Sequence, residues 1–68
     1  MKREHYIVNG LSSETIKTQV KNSLEKIDGV NQVCIDLGRG SVEVIYNEPA
    51  NQSQIEECIE NTGHHIEY

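Results

Sequence analysis

The chain contains no tryptophan and no phenylalanine, one proline, one methionine and two cysteines in 68 residues. Its only aromatics are three tyrosines, so any core must be built mainly from aliphatic side chains. Two cysteines, Cys34 and Cys58, fall short of a disulfide scaffold, and free thiols in a cytoplasmic protein are the expectation. Basic residues are scarce, 6 Lys and Arg against 11 Asp and Glu, for a net charge of −5. That balance argues against nucleic acid as a partner, because neutralising phosphates takes clustered Lys and Arg. No apolar run approaches the roughly 20 residues that cross a bilayer, and no signal peptide is visible, so no membrane association is expected. The length allows one small domain, residues 1–68, with one core. An enzyme this short would have to fit its whole constellation into a few turns, so a binding module, expected to be a monomer, is the better-supported class.

What is present is clear punctuation. Residues 4–9 alternate in the β manner up to Asn9-Gly10 and predict a strand with Tyr6 and Val8 on the covered face. From Ser12 the period changes: Ile16, Val20, Leu24 and Ile27 form one stripe of an amphipathic helix. Ser12 or Ser13 can cap it, Glu14 suits the positive end of its dipole, and Asp28-Gly29 stops it. Val33, Ile35 and Leu37 then alternate with Cys34 and Asp36; Gly38-Arg39-Gly40 turns the chain, and Val42, Val44 and Tyr46 alternate again. That pattern predicts a β-hairpin. After Pro49, Ser53 and Glu56 have the spacing of a capping box, and Ile55, Cys58 and Ile59 mark a second helix ended by Gly63. Residues 64–68 close as a short strand with Ile66 and Tyr68 inward.

The order βαββαβ predicts an α+β, ferredoxin-like sandwich: a four-stranded antiparallel sheet with two helices on one face. With that order in hand, the residues between the elements carry a resemblance. A Val-x-Gly falls at Val8 and Gly10, and Ile27-Asp28-Gly29-Val30 follows the first helix. Val33, Ile35 and Leu37 form an alternating strand. Ile55-Glu56-Glu57-Cys58-Ile59-Glu60-Asn61-Thr62-Gly63-His64 ends the second helix. Over nearly its whole length the chain resembles the heavy-metal-associated domains, in particular the small bacterial copper chaperones of the CopZ type.

The resemblance implies a metal loop reading Gly-Met-Thr/Ser-Cys-x-x-Cys. Here the matching positions hold Gly10, Leu11, Ser12, Ser13 and Ile16, so both thiols are missing. Two thiolates at that spacing sit where a helix N-terminus favours the anion, and their soft sulfur suits Cu(I) in an exchangeable site. A serine hydroxyl is a hard donor and isoleucine is none. Affinity for Cu(I) at these positions is therefore expected to fall by several orders of magnitude.

The remaining candidate ligands are Cys34, Cys58, His5, His64 and His65. Cys58 lies on the apolar stripe and reads as a small buried hydrophobe; Cys34 reads as an exposed thiol on the open sheet face, too far round the sheet to pair with it. His5 reads as a solvated surface residue. His64 follows Gly63 in the loop that the resemblance places beside the metal loop, where some cyanobacterial relatives carry a histidine that approaches copper. The expected metal site is therefore His64, His65 and Ser13, although adjacent residues entering a strand point to opposite faces and the two imidazoles do not easily share an ion. Such a set suits Zn(II), Ni(II) or Cu(II) better than Cu(I), and no resident cofactor beyond weakly bound copper or zinc is expected.

Two functions remain open at this point. One is a metal-trafficking or homeostasis protein with a degenerate site. The other is a metal-free interaction module that keeps the docking surface, with a copper-transporting ATPase domain or another metal-homeostasis protein as the partner implied by the resemblance. An acylphosphatase-like enzyme is disfavoured, since residues 10–13 hold no arginine to bind a phosphoryl group.

Overall fold

Along β1 (Lys2–Val8), Tyr6 and Val8 are buried while His5 and Ile7 are exposed, the alternation a half-covered strand requires. The computed structural model describes residues 1–67. After β1 come α1 (Glu14–Glu25), β2 (Val30–Asp36), β3 (Ser41–Tyr46), α2 (Gln52–Asn61) and β4 (Ile66–Glu67). The strands form one antiparallel sheet in the order β2-β3-β1-β4, which is the ferredoxin-like βαββαβ arrangement expected from the sequence.

Register explains why one face closes. Tyr6 lies opposite Val42, Val33 opposite Val44, and Val8 opposite Ile66, so the inward side chains of all four strands stack on one side. Val20 and Leu24 of α1 and Ile55 and Ile59 of α2 join them in a single apolar cluster. Each such aliphatic side chain, fully buried, contributes roughly 1.5–3 kcal/mol. The other face stays open and carries Cys34, Glu43 and His5 as cross-strand neighbours.

The helix ends differ in part from the sequence expectations. Ser13 caps α1, its hydroxyl accepting from the Ile16 N–H at 3.3 Å, with Glu14 in the first turn as anticipated. The helix stops at Glu25, earlier than Asp28-Gly29, and a tight turn carries the chain to β2. Gly29 has φ +101, and a Cβ on it would collide with the carbonyl oxygen of Asn47, whose own N–H donates back to the Gly29 carbonyl at 2.8 Å. Only glycine lets the start of β2 approach the end of β3 this closely.

At α2 the capping-box reading is corrected. The cap is Asn51, extended at φ −140, whose side-chain oxygen accepts from the Gln54 N–H at 2.9 Å; Ser53 lies inside the first turn. Ala50 is buried and anchors the chain there, so the helix begins at the first good capping side chain after it. Cys58 is also corrected. It is half-buried at the margin of the core, because the inward line of α2 runs through Ile55 and Ile59. Ile66 is buried as expected, whereas Tyr68, read as its inward companion, lies outside the described residues.

Two tyrosines fasten the end of the core away from the β1–α1 loop. Tyr46 donates to Glu4 Oε2 at 3.1 Å, and Tyr6 to Glu56 Oε2 at 3.4 Å. Burial raises the Tyr6 phenol far above its usual range, reinforced by the carboxylates of Glu56 and Glu4. Burial raises Tyr46 too, and its hydrogen bond to Glu4 adds to the shift.

Candidate metal site

Three loops meet where β1 ends. The Val8 N–H donates to the Gly40 carbonyl at 2.7 Å, tying the β2–β3 turn to the strand. The Asn9 N–H donates to the His65 carbonyl at 2.8 Å, tying in the segment that follows α2. The Asn9 side-chain amide reaches Glu67 Oε1 at 3.1 Å and secures the same junction. Gly10 then turns the chain at φ +88, Leu11 drops into the core, and Ser13 starts α1.

His64 is brought directly onto this loop. Its half-buried ring lies against the α-carbon of Gly10, so close that a Cβ on Gly10 would sit 2.8 Å from Nδ1 and 3.4 Å from Cε1. The resemblance implied that His64 would lie beside this loop; the structure shows that the residue it meets is Gly10, with the Asn9–His65 bond setting the two loops side by side.

The other members of the expected set are placed differently. Ser13 already uses its hydroxyl oxygen as the helix cap. Ile16, half-buried one turn along, packs against the core and has no donor atom. His65 is exposed, its carbonyl rather than its ring engaged with the loop. Among the described residues, no three His, Cys, Asp or Glu side chains are grouped so as to hold a metal ion. Chemically the loop provides one imidazole, one hydroxyl engaged in a cap, and backbone. That donor set does not fit Cu(I), which favours paired soft sulfur.

The thiols are elsewhere. Cys34 is exposed on the open sheet face, where the Gln32 side chain donates to its sulfur at 3.4 Å. Cys58 is on the helical side of the sheet, and burial pushes its thiol up, away from the reactive thiolate. His5 is exposed in the middle of β1, on the open face and opposite Glu43, remote from His64 in the fold.

Sequence reasoning missed a groove of about 490 Å³ between the helices, lined by Ser23 and Ile27 of the α1 side and Gln54, Glu57, Cys58 and Asn61 of α2. The available signal was size: Ser23 and Cys58 are both small where helix partners usually fill space.

Comparison with known proteins bears on the whole chain. The family model described as "Heavy-metal-associated domain" matches residues 5–65. The copper chaperone CopZ of Staphylococcus aureus is 33% identical over 67 residues, covering 97% of this chain and 98% of that protein. Among solved structures, a CopZ metallochaperone superposes with a TM-score of 0.93 at 31% identity, covering 97% of this chain and 100% of the other. A CsoZ metallochaperone superposes equally well, TM-score 0.93 at 30% identity, over 98% of this chain and 97% of its own.

Proposed function

Because the chain belongs to the heavy-metal-associated domain family, we propose that it works in metal trafficking or homeostasis through a degenerate site in which His64 is the principal donor left. The observation that supports this most is the pairing of His64 with Gly10: an imidazole lies on the loop where the family's thiols would stand, while Ser13 and Ile16 hold the thiol positions. One imidazole with water and an occasional hydroxyl makes a weak, borderline-metal site, suited to Zn(II) or Cu(II). A partner supplying thiolates can complete it. The reading is non-enzymatic, with a cytoplasmic location and a partner such as a copper-transporting ATPase domain; solved neighbours include a copper binding domain from a P-type ATPase and a yeast copper transporter domain.

The test is titration of the protein and of His64→Ala with Zn(II), together with Cu(I) competition against a strong chelator. Zn(II) binding that His64→Ala abolishes, with no Cu(I) withdrawn from the chelator, is the expected result. Zn(II) binding that survives the substitution unchanged removes His64 from the site.

The second reading is a metal-free docking module. It is favoured by the same loop seen from the side of folding, since Ser13 caps α1 and the loop is tied at its start by the Asn9–His65 backbone bond. A heteronuclear titration with a copper-transporter domain tests it; shift changes at residues 10–16 and 61–65 without metal are expected, and their absence counts against it.

A further inference from the structure

Charge is distributed very unevenly along this chain. All six Lys and Arg lie within residues 1–39, while residues 40–68 carry six glutamates and no Lys or Arg. Three of the six, Glu56, Glu57 and Glu60, fall on α2. Glu57 and Glu60 are exposed, and among the described residues neither forms an ion pair. Three acidic groups elsewhere have cationic partners: Glu14 with Lys17 at 3.9 Å, Asp36 with Arg39 at 3.8 Å and Glu43 with Arg3 at 3.8 Å.

One of these carboxylates, Glu57, lines the groove between the helices, and Glu60 follows it three residues on along α2. Gln54, Glu57, Cys58 and Asn61 are spaced three and four apart, so they form one stripe of α2 turned toward α1. Across from it stand Ser23 and Ile27. Because Ser23 and Cys58 are small, the helices leave an open channel with a partly apolar floor, Ile27 and Cys58, and an acidic edge, Glu57. The channel has a volume of about 490 Å³ and opens broadly to solvent.

We propose that this groove docks a basic amphipathic segment of a partner protein, with an apolar side chain entering between Ile27 and Cys58 and Lys or Arg side chains meeting Glu57 and Glu60. The unpaired carboxylates raise the encounter rate with a cationic segment, and the floor supplies contact area. Pairing α2 against α2 of a second copy is disfavoured, because both faces carry the same charge. The surface is separate from the His64 loop, and it extends the docking reading without depending on metal.

The test uses a synthetic Lys/Leu amphipathic helical peptide, its Lys/Ser analogue of equal charge, and a Glu/Leu counterpart, each titrated into labelled protein. The Lys/Leu peptide is expected to shift Ser23, Ile27, Gln54, Cys58 and Asn61, and to bind about tenfold more weakly to the Glu57→Gln/Glu60→Gln variant. Both residues are exposed, so that variant keeps its fold, which circular dichroism verifies. In a Cys34→Ser background Cys58 is the one remaining thiol, and its alkylation is expected to slow severalfold when the peptide saturates. Equal binding of the Lys/Ser or Glu/Leu peptide, shifts confined to the open sheet face or to residues 10–13, or peptide-independent self-association through this face overturns the proposal. None of these outcomes touches the Zn(II) titration of His64→Ala, so the two readings stand or fall separately.

Discussion

The imidazole of His64 rests on the bare α-carbon of Gly10, at a separation that leaves no room for a Cβ. Two constraints therefore converge on one glycine: a left-handed φ of +88 and a ring overhead. Gly10→Ala is expected to lose stability by about 1–2 kcal/mol from the backbone conformation alone, with a further loss from the ring contact. Combining it with His64→Ala returns only the second part. Urea denaturation of the single and double variants measures this, and additive losses would show that the ring does not press on Gly10.

Restoring the thiols is the converse experiment. Ser13 and Ile16 are three residues apart, at the start and in the first turn of α1. Ser13→Cys/Ile16→Cys is expected to withdraw Cu(I) from a strong chelator where the parent protein does not, because paired soft thiolates replace one hydroxyl and one aliphatic side chain. The double variant is expected to be less stable without metal by about 1–3 kcal/mol, through loss of the serine cap and of the Ile16 packing against the core. Cu(I) competition and thermal melts in the same buffer read both effects.

Helix α2 offers a direct comparison of two capping candidates. Asn51 accepts the Gln54 N–H at 2.9 Å, and Ser53 has no such bond. Asn51→Ala is expected to cost about 1 kcal/mol, and Ser53→Ala to remain within about 0.5 kcal/mol of the parent. Equal effects in denaturant melts would restore Ser53 as a cap.

Alkaline pH should unfold this protein through its tyrosines. Both Tyr6 and Tyr46 are raised above the ordinary value near 10 by burial and by neighbouring carboxylates. The folded state thus holds its phenolic protons after the unfolded state has released them. Their contribution is fully present below pH about 10 and is lost progressively above it, by at most about 1.4 kcal/mol per pH unit for each group. Tyr6→Phe is expected to flatten the decline in stability above pH 10. A slope that is unchanged in Tyr6→Phe would contradict the assignment.

Most of the fold was legible because it rests on period. The stripe through Ile16, Val20, Leu24 and Ile27 and the alternation from Val33 to Tyr46 identify their elements without tertiary information, and Val20, Leu24, Val33, Val42 and Val44 are buried accordingly. The helix starts were less legible. Asn51 and Ser53 are both suitable caps, and the choice between them depends on where Ala50 is anchored, which local sequence does not encode. Cys58 illustrates the same limit on the other side of α2: a hydrophobic stripe gives the direction of the core, but the neighbouring helix decides how deeply each member sinks. The candidate site was legible in its losses, since Ser13 and Ile16 are plain in the sequence. That His64 flanks this loop came from the family resemblance alone, and its contact with Gly10 was not legible, because it arises from a backbone bond between residues far apart in the chain.

The Ser13 hydroxyl bound to the Ile16 N–H has a consequence for order in the absence of any ion. A helix N-terminus carries partial positive charge on unsatisfied N–H groups, and in a metal-binding loop that field is at the disposal of whatever anionic donor comes near. Here part of it is permanently satisfied from within. The first turn of α1 is thereby settled at the moment of folding, and Ser13 acts as a fixed internal guest of its own helix.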